Sequence, residues 1–161
     1  DTGHFMHSNT SKEVLKIASE LVGLGAKPYA LSTAIYKSIT INKTNLTALA
    51  IQSMRFFKNN RICIITVTQN DLNKCGCVMA DTEGLIDYAM KIGCVEVGVC
   101  LTEQLHSHFK VSFRSKKTDV AAAAATFGGG GHTLAAGCVA DGKYEDVIDK
   151  ILKSITDGMN E

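Results

Sequence analysis

The sequence predicts an α/β fold in which a mixed β-sheet is flanked by helices and a helical segment comes first. Residues 62–67 and 95–101 are continuous apolar runs of strand length, rich in β-branched side chains, as in strands buried on both faces. Residues 109–113 alternate between apolar and polar, which indicates a strand with one covered face. Because helical patterns lie between these strands, we expect helices on the faces of the sheet.

The helical segment precedes the first strand. A capping-box pattern at residues 10–13 comes before an apolar period that ends near Gly23, and Pro28 suits the first turn of a second helix. A third apolar pattern predicts a helix that ends at residues 59–60. The predicted organisation is a first segment at 1–40, a connector helix at 41–60 and an α/β domain at 61–161.

The α/β domain is expected to contain several elements besides the three strands. These are a short helix capped by Thr68, a helix at 81–92, an alanine-rich helix at 120–125 capped by Thr118 or Asp119, a strand at 137–140 and a helix at 144–155.

Composition limits the function. The chain has 161 residues, 45% of them hydrophobic, which suits one domain with an appendage. Seventeen basic residues against 16 acidic residues give a net charge of +1, so binding of phosphates has to be local. The sequence contains no membrane-span pattern and no signal-peptide pattern. The six cysteines lie mostly in apolar runs without a CxxC pair, and we expect a reduced, cytoplasmic protein with no membrane partner.

The most distinctive stretch is the run of Gly128, Gly129, Gly130 and Gly131 followed by His132. Consecutive glycines are costly inside a helix or strand, but they let the backbone approach a ligand closely. Their N–H groups can form a concave nest for an anion, with the His132 ring at its edge. The alternative is a flexible linker, which the flanking Phe127 and Leu134 do not favour.

A basic group closes the predicted strand at 109–113. Arg114, Ser115 and Lys116 supply a planar fork, a hydroxyl and an ammonium group suited to a phosphate. One short alanine-rich helix separates them from the glycines, so we expect Arg114 and His132 at the same edge. The alternative is a solvated basic loop end.

Other polar patterns are weaker. His106 and His108 have a chelating spacing, as do Cys75 and Cys77, but both pairs lack further ligands and are interpreted as incidental. Asp1, before Thr2 and Gly3, is either part of a plain turn or a carboxylate ligand for a hard metal.

Two motifs together resemble the DHH family of phosphoesterases. Asp1-Thr2-Gly3-x-Phe5-x-x-Ser8-Asn9-Thr10 is similar to the last motif of the catalytic DHH domain. Arg114-Ser115-Lys116, followed by the four glycines, His132 and Ala135-Ala136-Gly137, is similar to the DHH-associated C-terminal domain, and residues 81–85 resemble the segment between them. The likeness covers essentially the whole chain and is greatest for bacterial nanoRNases and pAp (3′-phosphoadenosine 5′-phosphate) phosphatases.

The resemblance implies a parent enzyme that hydrolyses short oligoribonucleotides or pAp with manganese ions held by Asp and His side chains. It implies that Asp1 is one metal ligand and that the substrate contacts come from Arg114, Ser115, Lys116, Gly128, Gly129, Gly130, Gly131 and His132. The family's His-x-Asp-x-Asp and Asp-His-His motifs do not occur in this sequence. We therefore expect no complete catalytic set, no manganese binding and no activity in this chain alone.

On this interpretation, residues 1–40 are a remnant of the catalytic domain and 61–161 are the substrate-binding domain. A chain that starts at Asp1, without an initiator Met, is expected to be a fragment. Expected partners are short RNA, pAp or other small nucleotides, the missing N-terminal DHH domain and a second copy in a homodimer. The alternatives are a linear or cyclic dinucleotide phosphodiesterase, a non-hydrolytic RNA-binding module like the C-terminal domain of alanyl-tRNA synthetases, and an oligomerisation domain without a ligand.

Overall fold

The computed structural model describes residues 2–105 and 107–159. The chain divides into two compact units, Asp1–Ile39 and Thr40–Glu161. Within the described ranges, every helix is too short or too polar to cross a bilayer.

The first unit contains two helices, α1 (Lys12–Gly23) and α2 (Pro28–Tyr36), at the predicted places. The cap of α1 is Ser11, one residue later than the capping-box pattern indicated, and its hydroxyl accepts the N–H of Val14 at 3.3 Å. Neither helix buries a residue. The apolar side of α1 is therefore exposed within this unit.

The second unit is built on a six-stranded sheet of order β1-β2-β3-β4-β6-β5. The strands β2 and β3 are parallel and the other neighbours antiparallel, so the sheet is mixed, as predicted. The strands are β1 (Arg55–Phe57), β2 (Ile62–Val67), β3 (Val97–Glu103), β4 (His108–Ser115), β5 (Gly130–His132) and β6 (Ala135–Asp141). The helices are α3 (Ile41–Gln52), α4 (Gln69–Cys75), α5 (Ile86–Met90), α6 (Val120–Ala125) and α7 (Tyr144–Thr156).

The predicted third helix is wrong at its end. Helix α3 stops at Gln52, and residues 55–57 form β1 instead. The reason is the turn at residues 58–60, in which all three backbones have positive φ and reverse the chain onto β2. Two of the three are asparagines, which tolerate the left-handed region better than most residues.

The predicted helix at 81–92 is also wrong in part. A 3₁₀ helix covers Met79–Thr82, and α5 begins only at Ile86. The chain cannot continue as one helix because Gly84 has a φ of +84° and separates the two pieces.

The sheet has a core on each face. On one face, α6 and α7 pack against residues such as Val99, Val111 and Phe113. On the other face, α3, α4 and α5 pack against β2 and part of β3. No buried cluster covers the second face of β4 and β6 among the described residues. Of the predicted site residues, Arg114 and His132 lie in this uncovered area.

Candidate functional site

Strand β4 divides its residues between the two faces of the sheet. Phe109, Val111 and Phe113 are buried in the core beneath α6 and α7. Lys110 and Arg114, at the alternate positions, are exposed on the uncovered face, with the half-buried Ser112 between them. This alternation follows from the two-residue repeat of a strand. It places two cations and a hydroxyl in one line along β4.

The sheet register brings Arg114 and His132 into one row. Arg114 pairs with Ala135 of β6, and Ala135 pairs with His132 of β5. Residues directly opposite each other in antiparallel strands share a face. Two strand spacings separate the Arg114 and His132 backbones, about 10 Å, with only the methyl group of Ala135 between them. The row thus leaves a gap between a guanidinium group and an imidazole ring.

The next row forms a low floor beside that gap. Ser112 pairs with Gly137, and Gly137 pairs with Gly130. A Cβ built on Gly130 meets no atom within 4 Å, so the space above this residue is open. The two glycines therefore let a ligand lie directly on the backbone of β5 and β6.

A cavity of about 300 Å³ continues from Arg114 along β3 and β4. Its floor includes Cys100, Thr102, Lys110 and Ser112, and its opposite wall is the segment at 79–86. Burial raises the pKa of the Cys100 thiol to about 11. The hydrogen bond to Thr102 and the charge of Lys110 lower this pKa, but burial has the larger effect. The thiol is therefore protonated at neutral pH and does not act as a nucleophile here.

Ser115 and Lys116 make contacts within the chain instead of facing that row. The Ser115 hydroxyl is buried and accepts the N–H groups of Lys117 at 3.1 Å and Thr118 at 2.7 Å. The Lys116 ammonium donates to the carbonyls of Ile92 at 3.0 Å and Gly93 at 3.1 Å. Both side chains thus fix the loop after β4. Among the described residues, the guanidinium group of Arg114 has one hydrogen bond, to the Phe113 carbonyl at 3.0 Å.

The same loop is held by Glu96, which is 8% exposed. Its carboxylate is 2.9 Å from Arg61 Nη2 and 3.4 Å from Lys117 Nζ, and it accepts the hydroxyl of Thr118. Burial raises the pKa of Glu96, but the hydrogen bonds from Thr118, Arg61 and Lys117 outweigh that effect and leave the pKa lowered.

The four glycines do not form the predicted nest of N–H donors. The amides of Gly128 and Gly129 donate to Ala125 and Ala124, the last carbonyls of α6, both at 3.0 Å. Gly130 and Gly131 are in β5, paired with β6. Instead of the predicted turn, the glycines follow the end of α6 and form the start of the edge strand β5. Their backbone lies close to β6. A Cβ on Gly129 would lie 2.2 Å from the Gly137 oxygen, and one on Gly131 2.5 Å from the Ala135 oxygen.

The hairpin that carries His132 is tied down on both sides. The carbonyl of Thr133 accepts the Val120 N–H at 2.8 Å, at the start of α6. The carbonyl of Leu134 accepts the Ser115 N–H at 3.0 Å, at the end of β4. The first bond connects the hairpin to α6, and the second connects it to the strand that carries Arg114.

The residues that the structure describes do not fit a manganese centre. Asp1 and His106 lie outside the described residues. Within 2–105 and 107–159, no three His, Cys, Asp or Glu side chains come together in a metal-binding group. Mn²⁺ needs several such ligands, so no chemical step is assigned to a metal in this chain.

Sequence reasoning missed Lys110, Ser112 and the cavity wall at 79–86, and it singled out Gly137 without its pairing partner. The signal for the first two was present, since both lie at even spacings before Arg114 on the same strand. The pairing of Gly137 with Gly130 depends on register, and the wall depends on how α5 packs. Neither follows from local sequence.

Comparisons with known proteins place these features in context. A model of the DHHA1 domain matches residues 59–161. The chain is 32% identical over 137 residues to a probable bifunctional oligoribonuclease and PAP phosphatase NrnA of Streptococcus mutans, covering 85% of this chain and 44% of that protein. It is 27% identical to the bifunctional oligoribonuclease and PAP phosphatase NrnA of Bacillus subtilis, covering 85% of this chain and 43% of that protein.

Solved structures share the fold. An exopolyphosphatase-related protein from Bacteroides fragilis has a TM-score of 0.89 and 25% identity, over 97% of this chain and 46% of that one. A pGpG-specific phosphodiesterase from Vibrio cholerae has a TM-score of 0.57 and 14% identity, over 99% of this chain and 57% of that one, a likeness of fold alone. The chain thus spans less than half the length of the curated relatives it matches.

Proposed function

The chain belongs to the DHHA1-domain family, and from that premise we propose that it is the substrate-holding part of a phosphoesterase that acts on short oligoribonucleotides or pAp. Two relatives are named for both substrates. The hydrolysis and its manganese dependence belong to the proposal for the larger protein, with the metal ligands outside the described residues. We expect this chain alone to bind nucleotides without cleaving them, in a reducing cytoplasm.

The observation that carries the proposal is the row of Arg114 and His132 above a floor of Ala135, Gly137 and Gly130. A guanidinium group offers paired N–H donors that match two oxygens of a phosphate. The imidazole offers a further donor from the opposite side. The missing side chains at Gly130 and Gly137 let the phosphate and sugar come close to the sheet.

In this proposal the residues of the chain bind and orient. Arg114 fixes one phosphate, and His132 limits how that phosphate can turn. Ser112 supplies a hydroxyl at the floor. Holding a phosphoester in one orientation is itself a contribution to hydrolysis, because it replaces a random encounter by a fixed geometry.

Titration of pAp into the isotope-labelled chain, followed by NMR, tests this site. We expect the largest shifts at residues 112–114 and 130–137. Arg114→Ala should weaken binding about tenfold, since one charge-assisted contact contributes roughly 1.5–3 kcal/mol and less when exposed. Gly130→Val should weaken binding too, because it adds a branched side chain over the open floor.

The matched control is Lys153→Ala. Lys153 is an exposed cation on α7, which packs on the other face of the sheet, so its loss should change the affinity less than twofold. The proposal is wrong if Arg114→Ala binds pAp as tightly as the unmodified chain, or if the largest shifts lie on α7.

A further inference from the structure

We propose that the Lys110 end of the cavity is a second phosphate-binding position, so that this chain prefers an oligonucleotide strand over a mononucleotide. The inference rests on the proposed function, since it extends the same face of the sheet. It adds a preference between the two proposed ligands and names the residue that sets this preference.

The spacing of the two cations carries the inference. Lys110 and Arg114 are four residues apart on β4, so their backbones are separated by about 13 Å. Both side chains line the same cavity. A phosphate held between Arg114 and His132 lies beyond Arg114 on the side of β6. Lys110 is displaced along β4, roughly at right angles to the row of Arg114 and His132, and is left for another phosphate of the same nucleotide strand.

The charges support the same conclusion. Lys110 has no ion-pair partner in the part of the chain that the structure describes. Glu83 is the acidic residue among those that line the cavity, and it belongs to the facing wall at 79–86. A carboxylate accepts hydrogen bonds from base amino groups and repels phosphate. The arrangement favours phosphates along β4 and bases toward the wall.

The surface between the two cations is low. Ser112 lies midway on β4, opposite Cys100 of β3, and Thr102 of β3 lies opposite Lys110. These are short side chains, so a strand can lie across them. Farther from Arg114 along β4, the next residue on this face is His108, whose imidazole ring is hydrogen-bonded to the Asp141 carboxylate. The negative charge of Asp141 disfavours another phosphate there. The surface that can hold an oligonucleotide is therefore short.

The test compares two ligands and four proteins. Affinities for pAp and for 5′-phosphorylated tri-adenylate are measured by calorimetry with the unmodified chain, Lys110→Ala, Lys110→Arg and Lys153→Ala. We expect Lys110→Ala to bind the trinucleotide about tenfold more weakly and pAp less than twofold more weakly. Lys110→Arg should keep the affinity for both, and Lys153→Ala should resemble the unmodified chain.

Salt dependence gives a second readout. Loss of one phosphate contact should reduce the slope of log K against log salt for the trinucleotide by about 0.7, because fewer counterions are released. Equal losses for both ligands in Lys110→Ala, or no loss for either, overturn this inference while leaving the proposed function intact. Failure of Arg114→Ala to weaken pAp binding would instead overturn the proposed function, and this inference with it.

Discussion

The two faces of β4 differ in what their residues do. One face stabilises the fold, and the other is available to a ligand, although the residues alternate along one strand. Phe113 is fully buried in the core beneath α6 and α7, whereas its neighbour Arg114 is exposed beside the cavity. One residue of displacement along the chain therefore separates packing from binding. The comparison teaches that changes on the uncovered face can alter binding at little cost in stability.

The largest effect is expected from changing the buried face. Phe113→Ala should lower the free energy of unfolding by about 3–5 kcal/mol, because it leaves a large void in the core. Arg114→Ala, at the next position, should change it by less than about 0.5 kcal/mol, as is usual at an exposed site. Chemical denaturation of both variants measures this. Similar losses in the two would show that the faces are not independent.

The glycines give the second comparison, because a Cβ added at Gly130 has free space and one added at Gly129 does not. Gly129→Ala should destabilise the chain by about 1–3 kcal/mol, because its new Cβ would overlap the backbone of β6. Gly130→Ala has open space and no positive φ, and it should leave stability nearly unchanged. Thermal unfolding of the pair distinguishes them. A larger loss in Gly130→Ala would mean that its strand, and not the ligand, requires this glycine.

Glu96 provides a smaller effect and a dependence on pH. The pKa of its carboxyl is below the ordinary 4.5 in the folded chain, so its stabilising contribution is present above about pH 4.5 and is lost as the pH falls through the lowered value. Glu96→Gln should cost about 1.5 kcal/mol near neutral pH, at the low end for bonds to charged groups because Lys117 is exposed.

Urea unfolding at several pH values between 3 and 7 would reveal the Glu96 contribution. The unmodified chain should lose stability toward the acid end, and the difference between it and Glu96→Gln should shrink there. A difference that stays constant across this range would mean that the carboxylate charge of Glu96 does not stabilise the loop after β4.

Much of the fold followed from local sequence. The apolar runs at 62–67 and 95–101 predicted buried strands because β-branched residues repeat there, and the structure confirms β2 and β3 close to these positions. The errors at residues 55–57 and 81–92 share a cause. In both places a turn with positive φ interrupts an apolar pattern that otherwise fits a helix.

The candidate site was predictable only in part. Arg114 and His132 stood out by residue type, and the register places them in one row. The contacts of Ser115 and Lys116 were not predictable, because they depend on the loop after β4 and the turn at 92–93. Residue type alone does not show which of the three adjacent polar side chains forms contacts within the fold and which faces a ligand.

The two hydrogen bonds accepted by the Thr133 and Leu134 carbonyls should affect how fast and how favourably the proposed nucleotide ligand binds. They fix the backbone next to His132 before any ligand arrives, so little backbone entropy remains to be lost there on binding. Association should then be a single step whose observed rate rises linearly with ligand concentration, without the plateau that a slow loop closure would impose. In the proposed nucleotide complex, the backbone of the hairpin is preorganised, and most of the ordering cost falls on the flexible nucleotide strand.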